Sequence, residues 1–411
     1  MKKAFYVLII LTWPNLLNAR IIRVGTHQTF TTITKAISFA INNDTVLVEE
    51  NTYYEKNLVI DKSIVLKGIN HPVLEGEHLY EVISIKTDNV TVDGFTIQHS
   101  GQSSIIDFAG IKIYNRRKVI IVNNILTDNF FGIYTQNGVS CQIKNNIIAA
   151  HQSEEQQSGN GIHCWKSDSM QIIGNTVSGH RDGIYFEFVT HSIIWRNYSY
   201  KNIRYGLHFM FSSDDAYITN RFEENGSGVS VMYSHGVKMF NNYFKENWGD
   251  AAYGILLKEI SDSYIQGNHF EKNTSGIYME GASRIQLERN TFKNNGWGLK
   301  IQASCMDIVL KLNNFMGNTF DVGTNGSLVL NTFDGNYWDK YEGYDLNKDN
   351  IGDIPYRPVS MYSMIVEKNP PAMMLFRSLI ASLMDKTEKV IPSLTPENLK
   401  DNHPLMKAVP L

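Results

Sequence analysis

The sequence predicts an all-β chain, a right-handed single-stranded parallel β-helix (a solenoid) with a C-terminal helical and extended tail. Three observations carry that expectation. A glycine followed by an apolar residue recurs at Gly110, Gly132, Gly161, Gly183, Gly206, Gly228, Gly254, Gly276 and Gly298, in steps of 22, 29, 22, 23, 22, 26, 22 and 22 residues. An asparagine stands fourteen residues after each of the first eight, and one place later, at Asn313, after the ninth. Two residues beyond the later asparagines come Phe222, Phe244, Phe270, Phe292 and Phe315. A unit of this length with alternating strands, polar turns and no amphipathic helix cannot bury its own apolar face, whereas stacked copies can. Asparagine fits the left-handed turns of such a stack, and its amide bonds to the rungs above and below.

The elements follow in order. Lys2 and Lys3 precede the apolar run Ala4 to Leu11 and then Asn18-Ala19-Arg20, the layout of a secretory signal with cleavage after Ala19. Thr34 to Asn42 reads as a short helix capping the open end of the solenoid, and alternating strands broken by Gly and Asn follow over 45–70 and 89–101. The repeat fails near Gly335. The expected organisation is therefore 1–19 signal peptide, 20–334 β-helix, 335–360 polar cap and 361–411 helix and extended tail.

The bulk numbers narrow the partners. With 411 residues, 43% hydrophobic, the chain can bury a large core, and a net charge of −3 without basic runs argues against nucleic acid. Three cysteines, Cys141, Cys164 and Cys305, form no disulfide framework; Cys164 and Cys141 read as core residues.

A solenoid lets side chains be assigned to columns, because neighbours along a strand point to opposite faces. Positions one and three after each glycine point inward, as Ile184, Phe186, Leu207 and Phe209 do. Positions two and four point outward. Most coils carry ordinary surface residues there, such as Lys112, Lys258 and Lys300. The middle coils carry His163, Tyr185, His208 and Ser230 at the first outward position, and Trp165, Glu187, Met210 and Met232 at the second. His208, Met210 and Met232 then neighbour one another, with Glu187 and His163 as further contributors. One imidazole and two thioethers suit Cu(I) better than zinc, calcium or magnesium, in a shallow site fit for passing a metal on. A docking surface without metal explains the same residues, since Met and aromatics are enriched at interfaces. A polysaccharide lyase or epimerase is the enzymatic alternative, using Arg181, Asp182, Glu187, Arg204, Asp214 and Asp215 as acids, bases and substrate clamps.

Two C-terminal features complete the inventory. Asp345, Asn347, Asp349 and Asp353 space oxygen ligands as a structural calcium loop would, although the same acids also serve to pin turns. Pro370 and Pro371 start an expected helix from Ala372 to about Val390. Its first part offers Met373, Met374, Leu375, Phe376, Leu379, Ile380 and Leu383, too short a run to cross a bilayer but suited to a partner. Packing back onto the solenoid is the alternative.

HRDGIYFEFVTHS (180–192), RYGLHFMFSSDD (204–215) and GVSVMYSHGV (228–237), with NYWDKYEGYDLNKDNIGDIPYRP (336–358) and the tail from Arg377, resemble the NosD family. The resemblance covers nearly the whole chain after residue 19. It implies a periplasmic, non-enzymatic accessory protein working with an ABC transporter made of the ATPase NosF and the membrane subunit NosY. It further implies receipt of copper from NosL and service to the copper–sulfur centre of nitrous oxide reductase, NosZ. The resemblance does not itself name copper ligands.

Overall fold

The computed structural model describes residues 19–103, 105–151, 154–249, 251–326, 331–391 and 399–410. All of the expected signal segment except Ala19 lies outside them. The fold is a right-handed parallel solenoid with three sheets of 14, 12 and 13 strands, each strand paired with its counterpart one coil away. Helix α1 (Ile33–Phe39) covers the N-terminal end through buried Ile33, Ala36 and Ile37.

The repeat in the sequence has a steric cause. A Cβ at Gly254 would stand 2.5 Å from the carbonyl oxygen of Gly276 and 2.8 Å from the Phe270 ring, so a side chain has no room at this position. The inward residues pair in register, with Ile162 on Ile184, Ile184 on Leu207 and Leu207 on Val229. Each fully buried aliphatic or aromatic side chain contributes about 1.5–3 kcal/mol. The phenylalanines stack face to face through Phe222, Phe244, Phe270, Phe292 and Phe315, with centroids 4.7–5.4 Å apart, and the stack ends on Trp338.

The asparagines form a continuous ladder. Asn220, for example, donates from its backbone N and its Nδ2 to Oδ1 of Asn242 and also satisfies the carbonyl of Ile194. A second ladder runs along another corner through Asn202, Asn225, Asn247, Asn273, Asn295 and Asn318. The sequence marks it by spacing, each member standing five residues after a rung of the first ladder.

The C-terminal segment departs from the single helix expected over 372–390. Helix α2 (Met361–Lys368) begins earlier, capped by Ser360, and helix α3 (Leu379–Val390) is capped by Ser378. A 3-10 turn at Pro370–Leu375 and left-handed backbone at Arg377 separate them. Two serine caps, each accepting from the backbone N three residues on, break what hydropathy alone joins. Tyr362 and Val366 of α2 pack on Trp297 and Phe320 of the last coils, with Ala381 and Met384 of α3 against the same cluster.

The extended end returns to the solenoid. Asp401 takes the next rung of the asparagine ladder, accepting from the backbone N and Nδ2 of Asn336 and from the indole of Trp338. Leu405 bridges Tyr337, and Val409 bonds to the side chain of Asn314. Residues 399–409 therefore cover the edge of the last coil at Phe333 and Tyr337. Asp345, Asp349 and Asp353 accept from the backbone N of Asn350, Ile351 and Leu346, which is the turn-pinning arrangement. Among the described residues no three acids, histidines or cysteines converge as metal ligands, in this loop or elsewhere.

Candidate metal site

Four strands of the 12-stranded sheet build the candidate face: β1 (Ile162–Trp165), β2 (Asp182–Glu187), β3 (Tyr205–Met210) and β4 (Ser227–Met232). Parallel register brings the predicted residues into two columns. Trp165, Glu187, Met210, Met232 and Lys258 form one; Tyr134, His163, Tyr185, His208 and Ser230 form the other. Met210 and Met232 thus oppose each other on adjacent strands, about 4.8 Å apart at the backbone. The Tyr185 hydroxyl reaches the Met210 sulfur at 3.6 Å.

The outward columns are not bare surface, and this corrects the expectation from sequence. His163 and His208 retain only 8% and 6% of their exposure, while Glu187, Met210 and Met232 are half-buried. The cause is ring packing. Tyr134, His163, Tyr185 and His208 follow one another edge to face, with centroids 4.6–4.8 Å apart, and Tyr205 closes on the other side of His208 at 4.8 Å. The insertion before Gly161 also reaches these coils, Glu155 lying 4.0 Å from Arg204. Lys112, expected at the surface, is buried; its ammonium donates to the carbonyl of Asp107 and lies over Tyr134.

Burial sets the chemistry of these groups. It holds the His163 imidazole down to about 3, helped by Arg181 and Lys112, so this ring is neutral at neutral pH. It pushes the Tyr185 phenol up to about 12, with Glu187 and Asp182 adding to the effect. The Nε2 atoms of both His163 and His208 are buried and without a hydrogen-bond partner. Neutral imidazole nitrogen and thioether sulfur are soft donors, and the residues on this face fit a soft monovalent ion better than a hard divalent one.

The rival catalytic set is brought together only in part, with Arg204 3.6 Å from Asp182. Asp182 is fully buried beside His208, but Asp215 accepts from the backbone N of Ser192 within the interior, where burial pushes its carboxyl up to about 8. Asp214 is exposed on a left-handed turn. Asp182 and Asp215 are therefore both fully buried, and Asp214 stands on an exposed turn away from Asp182 and Glu187 of β2.

A feature missed in the sequence borders the methionines. Phe188, Phe211 and Tyr233 follow Glu187, Met210 and Met232 directly, half-exposed and stacked at 5.1 Å, each with left-handed backbone at φ of 50–54°. Equivalent corners elsewhere carry Asn137, Lys166 and Glu259. Bulky residues are costly in this conformation, so the aromatic run is not there for backbone geometry. An aromatic after each special outward residue was the available signal.

With the geometry in place, similarity to known proteins is specific. A family profile described as "Periplasmic copper-binding protein (NosD)" matches residues 148–343, the coils that carry this face. A second, for a right-handed β-helix region, matches 81–214. A Pseudomonas aeruginosa protein named "Probable ABC transporter binding protein NosD" is 26% identical over 86% of this chain and 86% of its own length. Residues 148–343 thus carry a NosD-family domain. A Stutzerimonas stutzeri relative of the same name is 30% identical over 27% of this chain and 26% of its own. Among solved structures, the A-module of the Azotobacter vinelandii mannuronan C-5 epimerase AlgE6 superimposes with a TM-score of 0.52 at 14% identity, over 74% of this chain and 89% of that one. At that identity the likeness shows a shared fold alone.

The docking residues predicted on the tail are all exposed: Met373, Met374, Leu375, Phe376, Leu379, Ile380 and Leu383, with Met374 at 90% and Leu379 at 86%. The helices are anchored through Tyr362, Val366, Ala381 and Met384, and the Phe376 ring meets Phe320 edge-on at 6.2 Å, which leaves Met374, Leu379, Ile380 and Leu383 exposed on the other side. Among the described residues no helix is long and apolar enough to cross a membrane.

Proposed function

We propose that this protein is a periplasmic accessory subunit that receives Cu(I) on the face of β2 to β4 and passes it on, acting with an ABC transporter. His208, Met210 and Met232 are the proposed ligands, with Glu187 and His163 at the margin. The single observation that carries this reading is the register of Met210 on Met232 beside Tyr185 and His208. Two half-buried thioethers face each other there, where the next coils carry Lys258 and Glu280. The description of the matching family as copper-binding supports the metal, and the relatives' names support the transporter.

In this reading copper is cargo. The half-buried sulfurs meet it first, and the imidazole behind them completes the soft donor set. NosL is the proposed donor, NosF and NosY the transporter, and the copper–sulfur centre of NosZ the destination. The exposed side of the helical pair is the proposed contact with the membrane subunit, whose apolar surface would cover Leu379 and Leu383. ATP hydrolysis belongs to the partner, since this chain has no phosphate-binding glycine loop.

Anaerobic Cu(I) titration against a competing chelator tests the proposal. Tight binding that is weakened in His208→Ala, Met210→Leu and Met232→Leu, with circular dichroism unchanged, is the expected result. Binding that persists in all three variants would move the site elsewhere.

A further inference from the structure

The residue before each repeat glycine forms its own column: Ala109, Phe131, Asn160, Asp182, Tyr205, Ser227, Tyr253, Ser275 and Trp297. One member is charged. Asp182 is also fully buried, although a carboxylate is among the costliest groups to take from water. Its surroundings explain what retains it. Oδ2 lies 3.5 Å from Nδ1 of His208, and Oδ1 lies 3.6 Å from Nε of Arg204, whose guanidinium rests over the Tyr205 ring. Tyr185 and Tyr205 hold the His208 ring from two sides, so its nitrogens have little choice of direction. One nitrogen faces the carboxylate, and the other, Nε2, is buried without a partner.

We infer that Asp182 is a positioning residue for His208. It accepts the Nδ1 proton and fixes the tautomer in which Nε2 keeps its lone pair for Cu(I), while Arg204 balances the carboxylate charge. The inference rests on the proposed copper face. Histidines that bind metals commonly donate their second ring N–H to a carboxylate, and losing that partner costs roughly 10–100-fold in affinity. The 3.5 Å separation is at the long end for a hydrogen bond, and it shortens as the ring gains positive character on binding the ion. Neither Asp182 nor Arg204 contacts the ion.

The test compares the full-length chain with Asp182→Asn, which keeps the shape and removes the charge. Histidine-selective nitrogen NMR of the metal-free protein reads the tautomer, and a Cu(I) chelator competition reads affinity. In the wild-type protein His208 is expected to carry its proton on Nδ1; in Asp182→Asn that signature is lost and Cu(I) binding weakens by roughly 10–100-fold. A wild-type His208 protonated on Nε2 overturns the inference whether or not copper binds, and it needs no variant that must fold. An unchanged affinity in Asp182→Asn also overturns it. If the tautomer is as expected while His208→Ala leaves copper binding intact, the copper face itself is what fails, and the positioning role for the metal fails with it.

Discussion

Two pairs of neighbouring coils share a backbone and differ in what they show to the outside. In the coils that begin at Gly254 and Gly276, the second outward position carries Lys258 and Glu280, paired in register and 3.7 Å apart as a half-buried ion pair. One step earlier, in the coils that begin at Gly206 and Gly228, the same position carries Met210 and Met232. Beneath both lie fully buried apolar residues and one continuous line of asparagine rungs, Asn220 to Asn290. The fold is satisfied by either pair. Sulfur on the outside is therefore chemistry added to a scaffold that does not require it, and the scaffold can be altered separately.

The largest effect is expected from the shared inside. Phe270→Ala removes the middle of a six-ring stack and leaves a cavity walled by Phe244 and Phe292. About 3–5 kcal/mol of stability should be lost. Denaturant unfolding followed by circular dichroism measures it, and a change below about 1 kcal/mol would mean that the stack is not what holds the coils.

The converse experiment exchanges the outside. Met210→Lys with Met232→Glu copies the later pair onto the earlier coils. Stability should stay within about 1 kcal/mol, because the equally half-buried positions of the next coils already hold a Lys–Glu pair. Cu(I) affinity should fall by at least about 100-fold, since an ammonium cannot ligate and a lone carboxylate is a poor ligand for a soft ion. If copper binding survives the exchange, the two coil pairs do not differ in the way proposed.

How much of this was legible without coordinates divides along the same line. Inward residues announced themselves, because a period of two within strands and about 22 between glycines leaves no other way to bury Ile, Val and Phe. Outward direction was also legible for His208, but its accessibility was not. That depends on how far Tyr185 and Tyr205 reach across neighbouring coils, which column arithmetic does not contain. The serine caps that split the tail helix stood in the sequence at Ser360 and Ser378, but the apolar run between them drew attention away. Asp401 as the last rung was illegible, since it joins Asn336 from 65 residues away with no repeat spacing to mark it.

Asp215 separates the inside from the outside by pH. The same burial that excludes it from a surface groove pushes its carboxyl up to about 8, against about 3.9 unfolded. The folded state then holds a proton that the unfolded chain has released, so the contribution is complete below about pH 4 and is lost as pH rises towards 8. The expected slope is about 1.4 kcal/mol per pH unit in that window. Asp215→Asn should flatten it while leaving Cu(I) binding alone. A slope unchanged in the variant would assign the pH dependence to another group.

The smallest expected change in stability belongs to the helical pair, and there the contrast between scaffold and surface can be made sharpest. Leu379 and Leu383 lie on the uncovered side of α3, while Ala381 and Met384 of the same helix pack towards Phe320 and Tyr362. Leu379→Ser with Leu383→Ser should therefore cost no more than about 0.5 kcal/mol. Met384→Ala, one residue further on, should cost more because it opens the contact with the last coil. If the exposed side is a docking surface, the double serine variant loses co-purification with the membrane subunit while its unfolding curve overlays the wild type. A variant that unfolds early would show instead that this side is covered in the isolated protein. Retained association would show that the transporter meets another face of the solenoid, and the stacked Phe188, Phe211 and Tyr233 beside the methionines would be the next to change.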